Sequence, residues 1–243
     1  MKIALLRVGI DLGCGGLLGP VFEDGTFEFI CIPGDSSHDE RTYGNTPGRH
    51  GRKLVEYFPA RRREKVSSQA MHVDPEFETY TYGDPTSPKA SLRNLMPGDV
   101  LAFYAGLQPF ERPPDPAMYL VGYFVVERAG RATAFSDQET RDLFGANAHV
   151  RSAALYAEQR DRLVLVKGGR GSRLFDTAVR ISERRPNRVG RLTHVLSEEM
   201  VGIFGKFGKM GSIERSPPRW VSPQHVGDAW KFLQAVGRRP TET

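Results

Sequence analysis

His72, Asp74 and Glu76 alternate along the segment HVDPEFETYTYGD (residues 72–84), and alternation is the spacing that brings side chains together on an extended chain. Successive residues of a strand point to opposite faces, so this spacing predicts all three groups on one side. An imidazole beside two carboxylates can move a proton near neutral pH, or offer nitrogen and oxygen to a divalent metal. His72, Asp74 and Glu76 are therefore candidate catalytic residues. The plainer alternative is that they accept hydrogen bonds from loop amides. Beyond them come Thr79, Tyr80, Tyr82, Gly83 and Asp84. Tyrosine rings give faces on which a flat base stacks, and a carboxylate accepts from an exocyclic amine. Aromatics at period two also serve ordinary sheet packing. With Lys89, which could meet a phosphate, these residues form a candidate ligand-binding set.

A second constellation is Asp11-Leu-Gly-Cys14-Gly15-Gly16, directly after an apolar opening run. Glycine admits positive φ and lets backbone approach a ligand closely. Asp11 joins the catalytic candidates, and Gly15 and Gly16 the ligand contacts. The spacing is not that of a dinucleotide fingerprint, and the Gly-Lys-Ser/Thr of a phosphate loop is missing. A strained connection into the next element is the alternative. Cys14 has no basic neighbour to make it a thiolate. His38 and His50 lie in a long polar loop (33–51) without metal-ligand spacing, and no motif points to a particular cofactor.

The elements that must position these groups follow from pattern. Residues 2–8 read as a buried central strand, and 21–32 as a β-hairpin turning at Asp24-Gly25. A short helix is expected over 53–58, stopped by Pro59, with helical turns over 90–96. Strands are predicted over 100–105, 118–127 and 163–166. Asp137 to Phe144 suits a helix with Ser136 as its N-cap, while 174–181 fits helix or strand. Residues 196–204 and 223–236 read as helices, the latter amphipathic. The class is α+β: a mixed, mostly antiparallel curled sheet with peripheral helices, able to close into a small barrel. The expected division is a core of residues 1–183 and a helical, basic extension of 184–243 packed on it.

Bulk properties narrow the function classes. The 243 residues carry a net charge of +5, with a pI of about 9.3, which fits a polyanionic partner. The charge gathers at Arg61, Arg62, Arg63 and Lys65, at Arg180, Arg184, Arg185, Arg188 and Arg191, and at Lys206, Lys209, Arg215 and Arg219. Each group alone also fits a solvated face. Two cysteines make no disulfide framework, so a reducing, cytoplasmic setting is expected. No apolar run approaches the roughly 20 residues a membrane span needs, and the first residues read as a strand, not a signal peptide.

Several motifs together carry a family resemblance. Asp11-Leu-Gly-Cys-Gly-Gly with Gly19-Pro20, FEDGTFEFICIP (22–33), HVDPEFETYTYGD and LRNLMPGDVLAFYAGL (92–107) resemble the third type of nucleotide-modification-associated domain. These motifs cover roughly the first 130 residues. Separately, the Gly-Asp turn and two strands within Leu92–Ala129 resemble the core of PUA-like domains of the EVE and ASCH groups. The first resemblance implies synthesis or handling of modified bases, the second a base held in a pocket of a curled sheet. Together they imply Asp11, Gly15, Gly16, His72, Asp74, Glu76, Thr79, Tyr80, Gly83 and Asp84 as site residues, with no catalytic role attached. The resulting expectation is a nucleic-acid- or nucleotide-binding protein associated with base modification, holding a base in a polar aromatic pocket. An enzyme acting on a nucleotide through the His/Asp/Glu cluster is the alternative, and a structural role is a third. The first two require the glycine turn and the carboxylate-tyrosine ribbon to share one cavity.

Overall fold

The computed structural model describes residues 1–35, 40–208, 211–214 and 217–239. Its first half holds β1 (Ile3–Arg7), β2 (Gly19–Val21), β3 (Ile32–Pro33), α1 (Ala60–Ser67), β4 (Met71–His72) and β5 (Thr81–Asp84). Two long strands follow, β6 (Val100–Pro109) and β7 (Ala117–Arg131), and then helices α2 (Asp137–Phe144), α3 (Ala148–Arg151) and α4 (Ala153–Gln159). The remainder comprises β8 (Val164–Gly168), β9 (Arg173–Arg180), β10 (Ser182–Pro186), β11 (Leu192–Leu196), α5 (Glu198–Phe204), β12 (Arg219–Trp220) and α6 (Val226–Ala235).

The main sheet runs β12-β1-β6-β7-β8-β5, with β2 also on β6 and β9 also on β7. Strands β1 and β2 lie parallel to β6, and the other pairings are antiparallel. Near-continuous apolar sequence accounts for the centre: β1 and the first eight residues of β6 are covered on both faces, as a strand with no polar alternation must be. β7 is long enough to carry two partners in succession, β9 along Tyr119–Tyr123 and β8 along Val126–Arg131. The carboxylate of Asp99 ties the start of this centre together, accepting from the amides of Lys2 (2.6 Å) and Met96 (2.9 Å). The sheet stays open, so the small barrel that the sequence allowed does not form among the described residues.

Several elements match their sequence pattern. Ser136 caps α2, and Glu139 returns the bond to the Ser136 amide. The stretch 174–181 is a strand, β9. Others differ. The turn at 22–26 closes, with Phe22 N donating to Thr26 O (2.8 Å) and Gly25 at φ +80°, but its second arm is no regular strand. The arms meet at the bridge Val21–Phe27 and through Glu28 N donating to Pro20 O (3.2 Å); Phe27 and Ile30 bury into different apolar clusters, and β2 also pairs with β6. Helices α1, α3 and α4 lie where the sequence pattern predicts none.

The C-terminal extension, expected to be helical, also contains the β10–β11 hairpin and β12, which adds to the main sheet through β1. The expected boundary at 183/184 falls inside β10, and Met200, Phe204, Ala229 and Leu233 share the core cluster with β1 and β6. Each basic cluster is engaged in part. Arg63 donates to the carbonyls of Phe58 and Glu56, Arg180 pairs with Asp115, and Arg185 with Glu183 and Glu198. Lys209, Arg215 and His38 lie outside the described residues. Both cysteines are free, Cys14 exposed and Cys31 buried, and no described helix is long and apolar enough to cross a membrane.

Phe103 sits at the middle of the sheet, fully buried, with ring centroids 4.7 Å from Phe124 and 5.6 Å from Phe77. Phe103→Ala is expected to cost about 3–5 kcal/mol, measured by urea denaturation.

Candidate functional site

β4 ends at His72, and the chain then turns inward, Asp74 N donating to His72 O (3.0 Å). This inward turn buries the Asp74 carboxylate, whose side chain is 3% exposed. Burying an ionisable group requires partners, and three elements supply them. Gly83 N, from β5, donates to both oxygens at 3.2 and 3.0 Å. Asn147, which caps α3, reaches Oδ1 at 3.4 Å, and His149 Nε2 lies 3.5 Å from Oδ2. Opposite, His72 Nε2 stands 3.1 Å from His149 Nε2 and 3.9 Å from Asp74 Oδ2. The Nδ1 of His149 meets Gln159 Oε1 at 2.7 Å. Two imidazoles and a carboxylate thus converge from β4, the following turn and α3. Among the described residues, His72, Asp74 and His149 form the group that could hold a metal ion.

Glu76, expected beside His72 and Asp74, is not with them. Its strand does not continue. Glu76 and Thr81 exchange backbone bonds across a tight turn (2.9 and 3.0 Å), and its carboxylate accepts from the amides of Glu78 and Thr79 and from the Thr79 hydroxyl. Glu76 and Thr79 therefore stabilise their own loop, the plainer of the two sequence readings. Tyr80 adopts φ +59° and packs edge-on against Phe124.

His72 and Asp74 of this cluster line a cleft of about 410 Å³. His72, Asp74, Tyr82, Gly83, Asp84 and Lys89 line one side, and Arg7, Asp11 and Cys14 the other. The glycine turn and the carboxylate-tyrosine ribbon do meet in a shared hollow. Glu76, Thr79, Tyr80, Gly15 and Gly16 do not line it. Asp11 organises the turn itself: Oδ1 accepts from the amides of Gly13 (2.8 Å) and Cys14 (2.6 Å), and Oδ2 pairs with Arg7 (2.8 Å). The amides that a phosphate would have used are taken up by this carboxylate. Gly15 and Gly16 hold positive φ, and Arg62 donates to both of their carbonyls, at 2.9 and 3.0 Å. A Cβ at Gly15 would strike Ile10 at 2.4 Å, so these glycines serve the turn.

Residues 2–232 match the model of a family described as nucleotide modification associated domain 3. The chain belongs to this family. No curated protein and no solved structure matches it. The family match runs well past the N-terminal motifs that carry the resemblance, and takes in α3, α4 and the C-terminal strands. It associates the chain with nucleotide modification.

Within this nucleotide-modification domain, sequence reasoning missed His149, Asn147, Gln159 and Glu214, the last also lining the cleft. An Asn followed by a His at a short helix start looks like ordinary capping, and only the fold brings it against β5. The electrostatics follow from burial. Burial lowers the pKa of His72 despite Asp74, and raises that of Asp74 against its contacts with His149 and Gly83. Burial also opposes the His149 cation, but the hydrogen bond and charge of Asp74 outweigh it and raise the pKa. Burial, then Asp11, raises the Cys14 thiol, so it is no activated nucleophile. Tyr82 is buried, its hydroxyl 3.1 Å from Asp84. Its ring packs inside the wall and presents no stacking face.

Two predictions follow from this packing. A Cβ at Gly83 would lie 2.8 Å from Asn147 Oδ1 and 2.9 Å from His149 Cδ2. Gly83→Ala is expected to displace the imidazole, visible as shifted His149 ring resonances, with a loss of about 1–3 kcal/mol. Asp84 pairs with Lys89 at 2.6 Å. Burial works against its charge, but Lys89 and the Thr86 hydroxyl and amide hold the carboxyl below its usual pKa. This stabilisation is complete above the ordinary carboxylate range and is lost as pH falls through the depressed value. Lys89→Met should cost about 1–3 kcal/mol at neutral pH, with the difference from wild type vanishing in acid denaturation curves.

Proposed function

We propose that this protein is an enzyme acting on a nucleotide or modified base, with His72, Asp74 and His149 as its reaction centre. The observation that carries the reading is the convergence of three ionisable side chains from separate elements at one point, two of which, His72 and Asp74, line a polar cleft. Ionisable groups buried together in this way oppose stability and mark functional sites more often than structural ones. The family's association with nucleotide modification supports a nucleotide or its modified base as the substrate class.

The cleft lining favours a compact ligand over a long phosphate backbone. Among the described residues, Asp11, Asp74, Asp84 and Glu214 share the cleft lining with the cations Arg7 and Lys89, and both of these are already paired. A groove for a polyanion requires the opposite balance. Carboxylates beside Lys89 suit the exocyclic amines and ring nitrogens of a base, with a single phosphate near the two cations. His72 or Asp74 would take or return a proton at the reacting atom, Asn147 and Gly83 would hold the carboxylate, and Gln159 would orient the His149 ring.

The second reading is a module that only holds a base. Asp84 and the Tyr82 hydroxyl favour it as polar contacts, but the buried Tyr82 ring removes the stacking that such a module uses. The test is incubation of the protein with a panel of nucleosides, mononucleotides and short oligonucleotides, with products followed by mass spectrometry and binding by calorimetry. Conversion by wild type is expected to fall at least about 10²-fold in Asp74→Asn and His149→Gln, with nucleotide binding kept. Unchanged conversion in those variants overturns the reading. Binding without conversion in wild type, lost in Asp84→Asn, establishes the base-holding module in its place.

A further inference from the structure

We propose that His72, Asp74 and His149 form a site for one divalent transition-metal ion, bound through two imidazole nitrogens and one carboxylate oxygen. The argument rests on geometry. The atoms His72 Nε2, His149 Nε2 and Asp74 Oδ2 form a triangle with sides of 3.1, 3.5 and 3.9 Å. The point equidistant from all three lies about 2.0–2.1 Å from each, the bond length of zinc to nitrogen or carboxylate oxygen. The two rings are inclined at 76° with both Nε2 atoms converging, as two ligands of one ion converge. Without a metal ion a shared proton joins the two Nε2 atoms at 3.1 Å, and a divalent cation would replace that proton with bonds to all three atoms.

The surrounding residues complete the pattern of a metal centre. Gln159 Oε1 can only accept, so it takes the Nδ1 proton of His149; in the neutral ring the Nε2 lone pair is then aimed at the centre. This is the arrangement that fixes the tautomer of metal-bound histidine. The amide of Gly83 and the side chain of Asn147 hold the carboxylate from behind, and Asn147 Oδ1 also accepts from His149 N (3.0 Å). One residue thus sets the position of two ligands. A set of two nitrogens and one oxygen suits zinc, cobalt, iron or manganese, whereas calcium and magnesium prefer oxygen alone.

Three protein ligands leave coordination positions free, the mark of catalytic sites rather than closed structural ones. The free side is accessible: His72 and Asp74 line the 410 Å³ cleft, and His72 and His149 line a second hollow of about 300 Å³ behind it. A bound ion would supply a Lewis acid, or a water of lowered pKa, at the wall of the proposed nucleotide cleft. The substrate of such a centre rests on the functional reading above, whereas ion binding itself does not.

The experiment uses the whole chain, stripped with a chelator and titrated with Co²⁺ for its visible absorption and with Zn²⁺ by calorimetry. One equivalent of each is expected to bind, with a raised Tm, and Mg²⁺ should not compete. His72→Gln and His149→Gln should abolish stoichiometric binding, and Gln159→Leu should weaken it about 10–100-fold. The His72 side chain is 23% exposed, so His72→Gln is expected to stay folded by circular dichroism even if the His149 variant does not. No binding by folded wild type, or full binding retained in His72→Gln, overturns the site. Nucleotide binding in the presence of chelator separates the two proposals: nucleotide bound without Co²⁺ affinity removes the metal alone, and Co²⁺ bound without any nucleotide interaction removes the functional reading alone.

Discussion

The burial of the Asp74 carboxylate is the constraint on which the site depends. A carboxylate in an apolar interior has lost its water and must be compensated by donors in defined places. Here the donors come from β5, from the cap of α3 and from a facing imidazole. Each donor in turn fixes its own element: β5 by the Gly83 amide, and α3 by Asn147, which binds Asp74 on one side and His149 N on the other. The same contacts that make the buried charge tolerable therefore bring His149 to His72. Moving any one of them leaves the buried acid with fewer partners inside the protein.

Around this point some polar groups close their own turns, while others are gathered at the cleft. Asp11 and Glu76 resemble Asp74 in the sequence, yet both close their own turns with adjacent amides. Arg62 and Arg63 look like a basic patch, yet both bind main-chain carbonyls and knit α1 to its surroundings. What remains oriented into the cleft is a small set rich in carboxylates. This composition is the ground on which a compact ligand is proposed over a phosphate backbone.

The sheet supplies the rigidity such a set needs. β5 is the edge strand of the main sheet, held on β8, which is itself held on the second half of β7. β1 delivers Arg7 and the glycine turn from the other end of the same sheet, through its parallel pairing with β6. The two walls of the cleft are therefore joined through one continuous apolar core, and their separation is set by strand registers.

The amino-acid sequence by itself determined the centre of the fold and one wall of the site. Runs such as IALLR and VLAFYAGL can be stable only when covered on both faces, and Ser136 with Glu139 marks a helix start, because these signals act between near neighbours. For the same reason His72, Asp74, Tyr82, Gly83 and Asp84 were legible as a polar ribbon, and Asp11 as the head of a turn. Only the tertiary structure decided which carboxylate would join the two imidazoles. Glu76 and Asp74 both sit two residues from a partner in the sequence, and alternation treats them alike. The turn bond between Glu76 and Thr81 takes one out of line, while packing of α3 against β5 brings His149 to the other. Contacts across such a sequence separation leave no periodicity to read, because a histidine beside a helix cap carries no record of the strand it will meet.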